Sequence, residues 1–386
     1  MSEFLLELYS EEIPPNLQIN ARISIKELLE KSLKEEGLKF KTIISYSSPT
    51  RLTVLIKDVP EKIKILSKEI RGPKVGVLDD ILNSFVRSHN ASLKEVFEKE
   101  SEKGKFYFLK TKSKEIFTKD LLIKIVLNSM ASLNWRKSMK WSDNNLVWGR
   151  PLRSILAIFN KKPLSFNYGH LKSVDFAIVE KDLIYKSKKV ESFKEYLNFL
   201  KINKIILNQE DREKKIIKKF QTICKEKNFK DLFNKNLIKE VVNIVEDPNV
   251  LLVDFNKKYL QIPSEIITST LQSHQRYFPL FDNKERLTNY FLVVANKNDT
   301  KNLIKEGNKR VVEARLSDAK FFWDKDKSRN LIKEIGKLKN IIFYEKIGTI
   351  YDKTQRLRKL AGFISDNFQC NHFLIFHIIT FHHLSK

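Results

Sequence analysis

Cysteine is almost missing from this chain of 386 residues: Cys224 and Cys370 are the only two. Two thiols so far apart make neither a disulfide framework nor a Cys-x-x-Cys metal clamp, and a reducing, cytoplasmic setting is the expectation. Glycine is thin as well. The ten glycines stand at 37, 72, 76, 104, 149, 169, 307, 336, 348 and 362. No pair has the spacing of a P-loop and nothing approaches G-x-G-x-x-G, so a backbone cradle for phosphate is not in view. Neither a G-x-S-x-G elbow nor an H-E-x-x-H pair occurs. His89, His170 and His274 lie far apart in the sequence, which fits packed or surface imidazoles better than a catalytic set. No apolar run approaches the roughly 18 residues of a membrane span. The acidic opening MSEFLLELYSEEIPP lacks a basic n-region and does not read as a signal peptide.

What is abundant is positive charge. Of the 72 basic residues 57 are Lys and 15 are Arg, and the formal net charge is +25. A Lys-, Ile- and Asn-rich chain is also what an AT-rich genome produces, so a solvated Lys surface explains the charge without a partner. Such a surface still attracts polyanions, because each phosphate it neutralises releases counterions. The length favours two or more domains, and 42% hydrophobic residues suffice for sizeable cores.

Periodicity gives an α+β, multidomain fold of mixed sheets and helices with a helical C-terminal region. Residues 1–60 read β-α-β-β: a strand Phe4–Tyr9, a helix capped by Asn16 and stopped by Gly37, then a hairpin of Lys41–Ser45 and Arg51–Lys57 around Ser47-Ser48-Pro49. Residues 61–150 read as an α/β region, with helices over Leu78–Glu100 and Asp120–Leu133 and a strand Lys105–Lys110. Residues 151–297 form a central α+β region. It has strands Ser154–Phe159, Leu164–Asn167 and Val250–Phe255, a helical insertion of three helices over about 190–245, and a helix Pro263–Ser273. A hairpin of Arg276–Phe281 and Tyr290–Ala295 about Asp282-Asn283 closes it. Residues 298–367 read as helical, and 368–386 as a divergent tail.

That tail holds Cys370 and four of the seven His, at 372, 377, 382 and 383. The spacing fits no ligand pattern, and no Asp or Glu stands ready to orient the imidazoles, so no metal is expected. A shifted reading frame that meets a stop has this look.

The segment Gly307–Asp326, GNKRVVEARLSDAKFFWDKD, is the most informative stretch. As a helix it aligns Val312, Leu316, Ala319 and Trp323 in one apolar stripe, bordered by Arg315, Val311 and Phe322. Asp318 is spaced to neutralise Arg315, and Phe321 points to a second side. A two-sided core helix with an internal ion pair accounts for the spacing by itself.

The wording of that segment resembles the beta subunit of bacterial heterotetrameric glycyl-tRNA synthetase. The family carries Gly-Asn-Glu-Arg-Val and then Ala-Arg-Leu-x-Asp-Ala-x-Phe-Phe. Here the residues are Gly307-Asn308-Lys309-Arg310-Val311 and Ala314-Arg315-Leu316-Ser317-Asp318-Ala319-Lys320-Phe321-Phe322, with Lys309 departing from Glu. Further matches follow in the family's order. They are Leu5–Pro15, Pro49-Thr50-Arg51-Leu52, Arg71-Gly72-Pro73, Phe85-Val86-Arg87-Ser88 and Lys137-Ser138-Met139-Lys140-Trp141, then Arg150-Pro151-Leu152-Arg153, Gln275-Arg276-Tyr277-Phe278-Pro279 and Gly348-Thr349-Ile350-Tyr351-Asp352-Lys353.

The resemblance implies a tRNA-binding subunit, without an active site of its own, of an ATP-dependent ligase that joins glycine to tRNA(Gly). The class II catalytic domain, with ATP and its Mg, would belong to a separate alpha subunit in an alpha2-beta2 tetramer, and this chain would bind no cofactor and no membrane. It also implies that the helical region leads into a truncated HD-like domain and that the C-terminal anticodon-binding domain is absent.

Basic residues inside the matched motifs are the candidates for tRNA or subunit contact: Arg51, Arg150, Arg153, Arg276, Arg310 and Arg315. Arg can clamp phosphate with two parallel hydrogen bonds. Tyr277 and Phe321, with Phe278 and Phe322, are candidates to stack on unpaired bases. Against this, Arg310 and Arg315 could pair with Glu313 and Asp318, and Phe278 and Phe322 could be core. The cluster Trp135, Trp141 and Trp148 fits a subunit interface or ordinary packing. Two other readings stay open: a free-standing basic RNA-binding module, and a non-functional gene fragment.

Overall fold

The computed structural model describes residues 2–65, 69–89, 91–101, 104–110, 114–141, 146–181 and 183–368. Helices and antiparallel sheets mix throughout, the α+β class that the periodicity predicts. The chain divides into two compact units, residues 1–254 with 271–308, and residues 255–270 with 309–386.

The first unit starts with β1 (Glu3–Ser10), α1 (Pro15–Glu35), β2 (Thr42–Ser48) and β3 (Arg51–Lys57). Helix α2 (Thr118–Ser132), β4 (Leu152–Phe159) and β5 (Lys162–Pro163) follow. The five strands form one antiparallel sheet in the order β5-β4-β1-β3-β2. Strand alternation sorts its side chains between two cores. Phe4, Leu6 and Leu8 of β1, with Leu52, Val54 and Ile56 of β3, join the core under α1 and α2. Leu5 of β1 and Leu156 and Ile158 of β4 join a second core on the opposite face. A sheet covered on both faces reads as a near-continuous apolar run, which is why Phe4–Tyr9, apart from Glu7, shows no polar alternation. Helix α1 buries Leu17, Ala21, Ile25, Leu29 and Leu33, a three-to-four-residue stripe worth roughly 1.5–3 kcal/mol for each large aliphatic group.

Asn16 does not cap α1. Pro14 holds the cap position without a side-chain hydrogen bond and Pro15 is the first helical residue, a place where the missing N–H of proline costs nothing. Gly37, at φ +70, follows the helix end as expected. The helix over Leu78–Glu100 is shorter than the Lys/Glu pattern suggests. It spans Asp79–Ser88, and Val96–Ser101 is a strand paired with Gly104–Lys110. Phe97 stacks across that ladder on Phe108 at 6.1 Å, a cross-strand contact that overrides local helical preference. Of the strand expected at Leu164–Asn167 only Asn167 is in one, the two-residue strand Asn167–Tyr168 that pairs with Leu171–Lys172. Leu164 and Phe166 are buried, but their N–H groups go to Ala157 O and Ser173 Oγ.

After β6 (Phe176–Lys181) and β7 (Ile184–Lys189), three helices occupy the predicted insertion: α3 (Phe193–Ile202), α4 (Gln209–Lys227) and α5 (Lys235–Val242). Ser192, Asn208 and Asn234 cap them through side-chain oxygens. Strands β8 (Asn249–Asp254), β9 (Phe278–Phe281) and β10 (Leu287–Ala295) form a second antiparallel sheet in the order β8-β10-β9, and Phe220, Val241, Phe278 and Leu292 share its core. The helix expected over Pro263–Ser273 is α-helical only over Ser264–Ser269 and passes into one π turn, Thr270–His274.

Helix α6 (Leu303–Ser328) opens the helical region. In the second unit an unforeseen hairpin pairs Ile342–Tyr344 with Gly348–Thr349, and α7 (Ile350–Phe368) follows. Asp352 accepts from Thr349 N and Oγ1, each at 2.8 Å. Gly348 sits at φ +97, and a Cβ there would lie 2.6 Å from Asp352 Oδ2. The motif Gly348–Lys353 is thus a turn and helix start. The tail expected at 368–386 lies outside the described residues from 369 onward.

Candidate functional site

Arg51 is inside the protein. It leads β3 opposite Tyr9, on the sheet face that also carries Glu7. Its Nε lies 3.2 Å from Glu7 Oε2, Nη1 donates to Glu246 Oε1 at 2.9 Å, and Nη2 donates to the carbonyl of Ile178. Ser48 Oγ also donates to Glu246 Oε1, at 2.6 Å, and the Tyr196 hydroxyl donates to Glu7. Burial alone would lower the Arg51 pKa, but Glu246 and Glu7 hold it above its ordinary value. Burial also pushes Glu246 up, and Arg51 with Ser48 more than reverses this, so its carboxyl is held below the usual range. For Glu7 burial wins and the carboxyl is raised. Contact with RNA would need an exposed guanidinium. Arg51 is 1% exposed, so it organises the interior instead.

A second buried Arg supports the same region. Arg212 of α4 donates to the carbonyls of Val242, Ile206, Leu207 and Ser47 at 2.7–2.9 Å. Burial lowers its pKa to about 10, with the nearby charge of Glu246 opposing the shift and that of Arg22 adding to it.

Above Glu246 lies a cleft of about 540 Å³. Four segments singled out in the sequence supply part of its wall: Glu12, Pro49-Thr50, Tyr277 and Asn308. The fold brings Lys181, Glu246, Asn296 and the end of β10 to them. Arg276 adopts φ +56, an uncommon conformation for a side chain of this size, two residues after the π turn ends at His274. This sets Tyr277 against Phe291, with ring centroids 5.3 Å apart, and its hydroxyl donates to Asn308 Oδ1. Asn308 Nδ2 donates to Ile304 O at 2.6 Å, which fixes the amide's orientation. Asn296 Oδ1 accepts from the backbone N–H groups of Glu246 and Asp247 at 2.8 and 3.0 Å. Lys181 Nζ, a buried atom without a hydrogen bond among the described residues, lies 3.7 Å from Asp247 Oδ2. With Glu246 engaged by Arg51 and Glu180 by Arg153 Nη1 at 2.5 Å, the cleft offers charge pairing and hydrogen bonding over an apolar floor.

The other candidates separate. Arg153 lies between Glu180 and Glu11, with its guanidinium 5.6 Å from the Tyr9 ring. Arg150 is half-buried and donates to Gly149 O, beside a packed Trp135–Trp148 pair at 5.1 Å. Arg276 Nε donates to Glu240 at 2.8 Å. Phe278 is core, whereas Phe322 is exposed, against the expectation that both pack inside.

In the second unit, residues 309–328 of α6 bury Val312 and Leu316. The stripe expected to continue through Trp323 opens to solvent at Phe321, Phe322 and Trp323. At about 3.6 residues per turn, Arg310, Ala314, Phe321 and Lys325 share one outward stripe, with Val311, Arg315 and Phe322 beside it. Among the described residues, neither Arg310 nor Arg315 has an ion-pair partner. Glu313 instead accepts from Asn256 N at 3.0 Å. Phe321 meets Phe322 edge to face at 5.4 Å and lies under Lys325 Nζ at 5.7 Å.

Sequence reasoning missed Glu7, Arg212, Glu246 and Asn296. Glu7 had a signal, a lone carboxylate in an apolar strand next to a motif Arg. The other three act through backbone groups or distant partners and leave no local trace.

Comparison with known proteins agrees with the motif order. The family model described as glycyl-tRNA synthetase beta subunit matches residues 4–385. A protein of Rickettsia felis named glycine–tRNA ligase beta subunit is 33% identical over 366 residues, 94% of this chain and 55% of the relative. Relatives of the same name in Dictyoglomus thermophilum and Rickettsia prowazekii are 33% and 34% identical, over 94% and 95% of this chain and 54% and 55% of their own length. The chain spans about half the length of the curated relatives it matches. Cleft, hairpin and aromatic helix thus stand on the matched stretch, and the chain belongs to the glycyl-tRNA synthetase beta subunit family.

Proposed function

We propose that this chain grips tRNA(Gly) for a cytoplasmic glycine–tRNA ligase. An alpha subunit supplies the site for ATP, with its Mg, and for glycine, the two chains assembling as an alpha2-beta2 tetramer. On the same reading, residues 298–367 lead toward an HD-like domain. The observation that carries the proposal is the outward face of α6. Arg310 and Arg315 are exposed and, among the described residues, have no carboxylate on them, next to the exposed rings of Phe321 and Phe322. An unpaired guanidinium suits a phosphodiester, and an exposed ring suits the face of an unstacked base. Arg153 and Arg276 stand at the surface of the first unit as weaker candidates, each already paired with a Glu.

The test is a titration of the chain with tRNA(Gly) and with an unrelated tRNA at two salt concentrations. Tighter binding of tRNA(Gly), weakening with salt, is expected. Equal affinity for both RNAs would support a free-standing RNA-binding module instead.

A further inference from the structure

The β6–β7 hairpin presents an unusual edge. All six residues of β7 are exposed, and among the described residues its only strand partner is β6. The turn residue Leu183 is fully exposed at φ +64. Ile184 and Tyr185 are 57% and 56% exposed, and Ile202, the last residue of α3, is 75% exposed. Between hairpin and helix end lies a groove of about 190 Å³ lined by Lys181, Ile184, Lys186, Ile202, Asn203 and Lys204.

The inner strand is anchored. Ala177 and Val179 of β6 bury against Tyr196, Phe199 and Leu200 of α3, so the edge is held in place before anything meets it. An edge strand turns half of its backbone N–H and C=O groups outward, where a further strand can pair with them. The charge around the groove is of one sign. Lys186 donates to Asn203 Oδ1 at 3.1 Å, and among the described residues Lys186, Lys188, Lys201 and Lys204 have no carboxylate partner. Lysines on an edge discourage indiscriminate pairing, and they favour a strand that carries acids. The exposed Leu183, Ile184 and Ile202 have no counterpart in a phosphodiester chain, which favours a protein over RNA as the occupant.

We propose that β7 is the docking edge for an extended, acidic segment of the alpha subunit. The segment adds a third strand and seats an apolar side chain between Ile184 and Ile202. This rests on the reading that the chain works with an alpha subunit.

The experiment measures association of the full 386-residue chain with the alpha subunit from the same genome by sedimentation velocity. It is repeated with the double variants I184D/I202D and K186E/K188E, and circular dichroism checks their fold. Both pairs are exposed, so folding is expected to survive. Each double variant is expected to raise Kd about tenfold or more, while I184D/I202D keeps the wild-type affinity for tRNA(Gly). Unchanged Kd in both variants overturns the proposal. So does loss of tRNA affinity alone, which would make the edge an RNA surface, or a homodimer that the variants dissolve. A wild-type chain that forms no complex with the alpha subunit also overturns it, and the separate tRNA titration shows whether the tRNA-binding reading fails as well.

Discussion

The Tyr277 hydroxyl donates its hydrogen bond to Asn308 Oδ1, thirty-one residues further along the chain. The bond joins two motifs with no evident relation in the sequence. It closes one wall of the cleft, and the amide can only accept there because Nδ2 is already given to Ile304 O. Tyr277→Phe keeps the ring on Phe291 and leaves Oδ1 without its donor. A stability loss of about 1–2 kcal/mol is expected from the denaturant midpoint. Asn308→Ala should add little in that background, and a full additive loss would disprove the coupling.

Arg51 serves the interior, and its removal should be felt there. Arg51→Met strands Glu246 and Glu7 in a dry site, with an expected cost of about 3–5 kcal/mol. Arg51→Lys should not restore it, because one ammonium cannot reach Glu246, Glu7 and Ile178 O together. Denaturation by urea followed through tryptophan fluorescence checks both variants.

The two carboxylates on Arg51 act in opposite directions with pH. Glu246 is held below its ordinary value of 4.5, so its contribution is present above that value and is lost as pH falls through the lower folded one. Glu7 is raised above 4.5, so its contribution is present below that value and disappears as pH rises through the folded one. Glu246→Gln should therefore flatten the acid limb of the stability profile. Glu7→Gln should flatten the decline above it. Thermal melts between pH 3 and pH 7 would refute this if either variant steepened its own limb.

For the α6 face, Arg310→Ala and Arg315→Ala should change stability by no more than about 0.5 kcal/mol, since both side chains are exposed. Each should lower tRNA affinity and reduce the salt slope by roughly one. Phe321→Ala should weaken binding with the slope unchanged. An unaltered slope in the double Arg variant would remove these residues from the RNA contact.

Gly149 lies against the Trp135 ring, and a Cβ added at this glycine would come within 2.3 Å of it. Gly149→Ala should cost about 1–3 kcal/mol through overpacking, read as a lower melting temperature.

Elements whose pattern is set locally were legible in the sequence. The capped helices of the insertion and the apolar strand Phe4–Tyr9 depend on spacing and on neighbours a few residues away, and they stand where the sequence places them. Elements decided by distant partners were not legible. Val96–Ser101 became a strand because Phe108 offered a mate, and the Lys/Glu content around it carries no trace of that. The site divides in the same way. Motifs named Arg51, Tyr277 and Asn308, but whether an Arg faces water or a carboxylate is a tertiary fact. Arg51 and Arg315 look alike in the sequence, and one is sealed while the other is open.

Burial of Arg51 against Glu246 has a consequence for biosynthesis. The pair is separated by 195 positions, so the arginine, with Glu7 already made, leaves the ribosome well before Glu246. At roughly 5–20 residues per second the interval is about ten to forty seconds. Throughout it the Nη1 end of a guanidinium destined for the interior is without the carboxylate that accepts from it in the finished fold.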